Sequence, residues 1–174
     1  MTRVRGTGLI AVICGAIVIV SIQVILARAA DDNKACGLLT TSEIESILGT
    51  NVALKGGATP GSTHICTGQA SNKRIMLRLV TGLDPGRDRS GSKERAGMEM
   101  IKQMGGQVEV KTFGPIVCST LEPPAGKQQT GYNTTCTANK DTAMAGIEVT
   151  ANTKDDMLPI DRLRPLVEKM MGRF

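Results

Sequence analysis

The chain has 174 residues, with 21 Lys and Arg against 16 Asp and Glu, and its only aromatic side chains are Phe113, Tyr132 and Phe174. Three of the basic residues and none of the acidic ones lie in the first 29, which leaves the rest of the chain at a net charge of +2. So small an excess, without stacking platforms, gives a nucleic-acid surface little support, and the length suits one compact domain after a short leader.

That leader is the first element. Arg3 and Arg5 precede an apolar run from Gly8 to Ala27, and Ala27-Arg28-Ala29 fits the small-x-small cleavage pattern. The run of 20 residues also reaches the length of a membrane span. Residues 1–29 therefore read as a signal peptide or a retained single anchor, and residues 30–174 as an exported domain. Of five cysteines, Cys14 falls in the apolar run, while Cys36, Cys66, Cys118 and Cys136 lie beyond it. An even set of thiols sent to an oxidising compartment reads as two disulfides.

Thr40-Thr41-Ser42-Glu43 is a capping box that opens a short helix with Ile44, Ile47 and Leu48 on one face, closed by Gly49. Lys55 to Thr63 reads as a Gly/Thr/Ser/Pro loop. Two strands follow, Ile65–Gln69 and Arg74–Thr81, joined at Ser71-Asn72. After a polar connection, Ser92 caps a helix to about Met104, with Ala96, Met100, Ile101 and Met104 expected inward. Val108, Val110 and Thr112 begin an extended region that runs on through Cys118, and Pro123-Pro124 with Gly126 marks a turn. Strands are expected at Tyr132–Ala138 and Ala145–Ala151, then a helix within Pro159–Met171, kinked or delayed by Pro165.

These elements predict an α+β domain: an antiparallel β-sheet covered by helices. The series from Cys66 to Gly105 resembles the series from Cys136 to Gly172, which suggests a duplicated β-β-α unit. Under that reading the simplest pairing is one staple per half, Cys36–Cys66 and Cys118–Cys136. Four cysteines allow two other connectivities, and spacing alone leaves them open.

No catalytic constellation stands out. The cysteines form no Cys-x-x-Cys knuckle, which argues against zinc and thiol redox chemistry. His64 is the only histidine and has no nucleophile motif around it. Thioethers with an imidazole suit Cu(I), so Met98, Met104 and His64 are weak metal candidates. Met98 and Met100 stand two apart on a helix and point to different faces, and methionine more often fills core gaps. Eight basic residues against four acids between Lys73 and Lys102 form the one local charge excess, read first as a solvated face.

The opening Cys36-Gly37-Leu38-Leu39-Thr40-Thr41-Ser42-Glu43-Ile44, closing at Leu48-Gly49, resembles that of small exported bacterial envelope domains. These start Cys-x-Leu-Leu-Thr-x-x-Glu-Val/Ile and end that helix in Leu-Gly. The resemblance implies a loosely Mog1/PsbP-like layout, with the first cysteine paired just ahead of the first strands, and it carries over no site residue. The expectation is a non-enzymatic, periplasmic or otherwise extracytoplasmic binding or scaffold module without a cofactor. Its partner would be an envelope or inner-membrane protein, with the chain as an accessory subunit of a membrane complex and with membrane contact through residues 8–27 if the leader is uncleaved. The alternative is a carrier of copper or lipid that uses the Met-bearing helices.

Overall fold

A computed structural model describes residues 33–57, 61–84, 92–127 and 131–174, without the side chains of residues 92–96. The leader residues Gly8, Ala27 and Ala29 lie outside the described residues. Among those described, no helix is long and apolar enough to cross a membrane. Residues Asn33–Phe174 form one compact unit.

In chain order the elements are α1 (Thr41–Leu48), β1 (Ala53–Gly57), β2 (Thr63–Ala70), β3 (Lys73–Val80), α2 (Ser92–Gln103), β4 (Gln107–Phe113), β5 (Ile116–Glu122), β6 (Tyr132–Lys140), β7 (Ala143–Ala151) and α3 (Ile160–Met171). The seven strands make a single antiparallel sheet in the order β1-β2-β3-β7-β6-β5-β4. Two meanders, β1–β3 and β4–β7, thus meet where β3 pairs with β7.

The hairpins β2–β3 and β6–β7 are related along the sequence by an offset of 70 residues, which maps Cys66 to Cys136, Ser71 to Asp141 and Leu77 to Ile147. Each hairpin turns on two residues, and the first of them has a positive φ, 48° at Ser71 and 49° at Asp141. That backbone sense matches the right-handed twist of the strands it joins. Leu77 and Ile147 are partners in the β3–β7 register, so a local twofold axis of the strand core runs beside that pair. One row across the sheet then reads Gly56, Cys66, Leu77, Ile147, Cys136, Cys118.

Alternation puts this row and its neighbours on one face. Ile75, Leu77, Ile147 and Val149 point there and are fully buried beneath Leu38, Leu39, Ile44 and Val52 of the N-terminal segment and Leu163, Leu166, Val167 and Met170 of α3. Each fully buried Leu or Ile contributes roughly 1.5–3 kcal/mol by leaving water. The capping box is complete: Thr40 Oγ1 accepts from the Glu43 N–H, and Glu43 Oε2 accepts from the Thr40 N–H. Gly49 closes α1 at φ 72°, a left-handed turn that suits glycine.

Both expected disulfides form. Cys118–Cys136 joins directly opposite residues of β5 and β6, and Cys36–Cys66 ties the N-terminal segment to β2. The halves differ here for a steric reason. The first-half counterpart of Cys118 is Gly56, which stands opposite Cys66, and a Cβ on it would meet Asn33 Cβ at 2.8 Å. Asn33 lies over that glycine, donating from Nδ2 to the carbonyls of Gly57 (2.9 Å) and Ile65 (2.8 Å).

Four expectations change. Lys55–Gly57 belongs to strand β1, because pairing with β2 overrides its poor strand composition. The region from Val108 to Cys118 is two strands, since Gly114 at φ 59° and Pro115 form a tight turn between Phe113 and Ile116. Pro159 is the N-cap of α3, and the helix runs on through Pro165. Finally, Met100 and Met104 point outward, 62% and 50% exposed, and only Ile101 of that set is half-buried, against Gly106 (Ala96 lies among the undescribed side chains). α2 contacts β4, and none of its described side chains joins the core that α3 seals.

Candidate binding face

Among the described residues, the second face of the sheet carries no helix comparable to α3. Alternation places Arg74, Met76, Arg78 and Val80 of β3 on it, with Met144, Glu148 and Thr150 of β7 alongside. Towards β4 it continues through Thr135 and Thr137, Val117, Ser119 and Leu121, then Val108, Val110 and Thr112. Val110 is 48% exposed and Val117 38%, the most exposed large apolar side chains of the strands. Arg74 and Arg78 stand four residues apart on β3, exposed and without an ion-pair partner among the described residues. Six interstrand spacings of about 4.8 Å by eight residues of about 3.4 Å give a face of roughly 800 Å². That is about the area one partner contributes to a standard protein–protein interface.

The sequence-level basic excess is thereby divided. Lys73 turns away from Arg74 and pairs with Asp156 at 3.4 Å, and Lys102 pairs with Glu99 at 3.6 Å. The Asp156 carboxyl is held below its ordinary range, first by the Thr153 hydroxyl at 2.7 Å, with Asn72 and Lys73 adding to it. Arg87 and Arg89 lie outside the described residues, as do the side chains of Lys93 and Arg95.

The weak metal candidates are not brought together. His64 is half-buried on β2, next to one edge, whereas Met98 and Met104 belong to or adjoin α2, which contacts β4, the strand at the other edge. β2 and β4 are five strand spacings apart, about 24 Å, too far for one ion. Among the described residues no group of three or more His, Cys, Asp and Glu is placed to hold a metal. Cys36, Cys66, Cys118 and Cys136 are all in disulfides, which leaves none of them as a nucleophile or thiolate ligand.

A groove of about 330 Å³ opens on the helix side, between β4, β5 and the segment that leads into α3. Its wall includes Glu109, Lys111, Thr120, Glu122, Met157 and Asp161. Two of its carboxylates are paired, Glu109 with Lys111 at 3.0 Å and Glu122 with Lys154 at 2.7 Å, whereas Asp161 has no ion pair among the described residues. Each carboxylate holds its lysine above the usual ammonium range, through the hydrogen bond first and charge second. The described residues that line the groove include no cysteine, histidine or serine.

The strongest electrostatic cluster is structural. Arg173 donates in a fork to Glu43, Nη1 to Oε2 at 2.7 Å and Nη2 to Oε1 at 2.8 Å, and Nη1 also donates to the Leu38 carbonyl. The Glu43 carboxyl falls to about 2, chiefly through the Arg173 hydrogen bonds and the Thr40 N–H, and Lys169 also stands 3.4 Å from it. This fork clamps the end of α3 to the start of α1. Glu43 is legible in the sequence as a cap, whereas Arg173, 130 residues away, carries no local signal of its role.

The chain matches no protein-family model, no curated protein and no solved structure.

Proposed function

We propose that the protein is a non-enzymatic exported module that holds a protein partner of the cell envelope against the open face of its sheet. The observation that carries this reading is the asymmetry of the two faces. One is sealed by α1, α3 and the N-terminal segment. The other presents exposed Val110 and Val117, rows of hydroxyl side chains, and Arg74 and Arg78, which are exposed and have no ion pair among the described residues. A sheet stapled by two disulfides is rigid, so little side-chain and loop entropy is lost on docking. Two exposed guanidinium groups favour a partner with carboxylates opposite β3, through bidentate hydrogen bonds. The apolar leader from Gly8 to Ala27 supports a place at the membrane, and the paired cysteines support an oxidising, extracytoplasmic one. The resemblance at Cys36–Ile44 to small exported envelope domains points the same way.

Photo-crosslinking in intact cells tests the reading. A probe at Thr135, on the open face, should give one discrete adduct, lost when Arg74→Glu and Arg78→Glu are combined. A probe at Glu168, on the outside of α3, should give none. Equal adducts from both probes, or an adduct indifferent to the arginines, would sink the proposal.

A further inference from the structure

We infer that β4 is a self-pairing edge, through which two copies of this chain join their sheets in antiparallel register about Val110. The inference rests on which way the backbone of β4 faces. Cys118 and Cys136 stand opposite one another with Cα atoms 4.0 Å apart, the close spacing of a pair that exchanges no backbone hydrogen bonds. Cys118 therefore directs its N–H and C=O towards Lys111 on β4, and Lys111 directs its own back. Val108, Val110 and Thr112 are out of phase by one residue, so their backbone groups point away from β5, at the open edge of the sheet.

Those three residues select the register. A twofold axis through Val110 lets Val110 exchange two hydrogen bonds with its copy. It sets Val108 against Thr112 twice over, so every outward group in the segment finds a partner. The same register puts Glu109 of each copy directly opposite Lys111 of the other, in the closer-spaced class of pair. Neighbouring registers lose this match: centring on Glu109 opposes two carboxylates, and centring on Lys111 opposes two ammonium groups. The groups concerned are accessible, with the Glu109 and Lys111 side chains 55% and 45% exposed and Val110 48% exposed.

The opposite edge is built differently. β1 has five residues, includes Gly56 and Gly57, and has Asn33 bonded to the Gly57 carbonyl. β4 has seven residues, with neither proline nor glycine among them. Natural sheets usually protect an open edge by shortening it or breaking its regularity. β4 keeps the length and alternation of a paired strand, and its two charges are self-complementary across a twofold axis.

The test uses full-length chains co-expressed under two different tags and read on non-reducing gels. A Glu109→Cys copy should form a cross-chain disulfide with a Lys111→Cys copy. Two Glu109→Cys copies should yield about tenfold less, because this register does not oppose position 109 to itself. Cross-linking that depended only on the apolar leader would give equal yields in both combinations, and that result would overturn the inference. Val110→Pro should abolish the cross-link with β4–β5 pairing intact, since the lost N–H faces outward. Glu109→Lys and Lys111→Glu should each weaken co-purification of the two tags about tenfold, and mixing the two variants should restore it. A cross-link that survives Val110→Pro, or a charge-swapped mixture no better than either variant alone, would contradict the register.

Discussion

The hairpins β2–β3 and β6–β7 are built alike, yet the helices that follow them have different fates. Both hairpins have two-residue turns with positive φ at the first position, a cysteine on the core face, and a large aliphatic residue at the axis they share. α3 lays Leu163, Leu166, Val167 and Met170 onto the sheet, all buried. α2 carries Met98, Met100, Ile101 and, just past its end, Met104, and of these Met100 and Met104 are exposed. A helix-period pattern therefore does not by itself decide docking; what counts is whether a site is free. Over β1 and β2 the site is taken by Leu38, Leu39, Ile44 and Val52, locked down by the Cys36–Cys66 disulfide.

The largest expected effects come from the staples. Removing Cys36–Cys66 or Cys118–Cys136, which close sequence separations of 30 and 18, should each cost about 3–4 kcal/mol by chain entropy, measured by urea unfolding. A much smaller loss for Cys36–Cys66 would mean that the N-terminal segment holds its place without it. Next comes the contrast between the helices. Leu163→Ala should cost about 2–5 kcal/mol, whereas Met100→Ser and Met104→Ser should each stay within about 0.5 kcal/mol. Similar losses at Leu163 and Met100 would erase the distinction. Gly56→Ala, which drives a Cβ into Asn33, should cost about 1–3 kcal/mol, although the counterpart position in the second half carries Cys118.

The smallest effect is a pH dependence at the clamp between α1 and α3. The Glu43 carboxyl is lowered in the folded protein from 4.5 to about 2. Its contribution is therefore complete above the unfolded value and is lost as pH falls from about 4.5 towards 2. Glu43→Gln should flatten the acid limb of stability against pH, read as the urea midpoint at successive pH values. An unchanged acid limb would assign that slope to other carboxylates.

Much of this architecture is legible in the chain, because local chemistry writes it there. Thr40, Glu43 and Gly49 mark the ends of α1, Ser71-Asn72 marks a turn, and alternation from Arg74 to Val80 marks a half-buried strand. The even cysteine count, read with the repeat, anticipates the disulfide pairing. What stays hidden is set by partners far along the chain. β1 is a strand only because β2 pairs with it, and Arg173 is a clamp only because α3 ends beside Thr40. The Gly114-Pro115 turn had a signal, a Gly-Pro pair between two β-branched runs, that continuous strand propensity obscured. The open face was harder to foresee, since its Val, Thr and Met residues look like those of a covered sheet until the position of α2 is known.

Native-state hydrogen exchange tests the central claim most directly, namely that α3 and the strand core form one cooperative unit from which α2 is excluded. Amides of β3, β7 and α3 should exchange only through global unfolding, with a common free energy, and those of α2 should exchange through local opening at clearly lower cost. Protection in α2 equal to that of β7 would contradict the account, because it would place the second helix in the core after all.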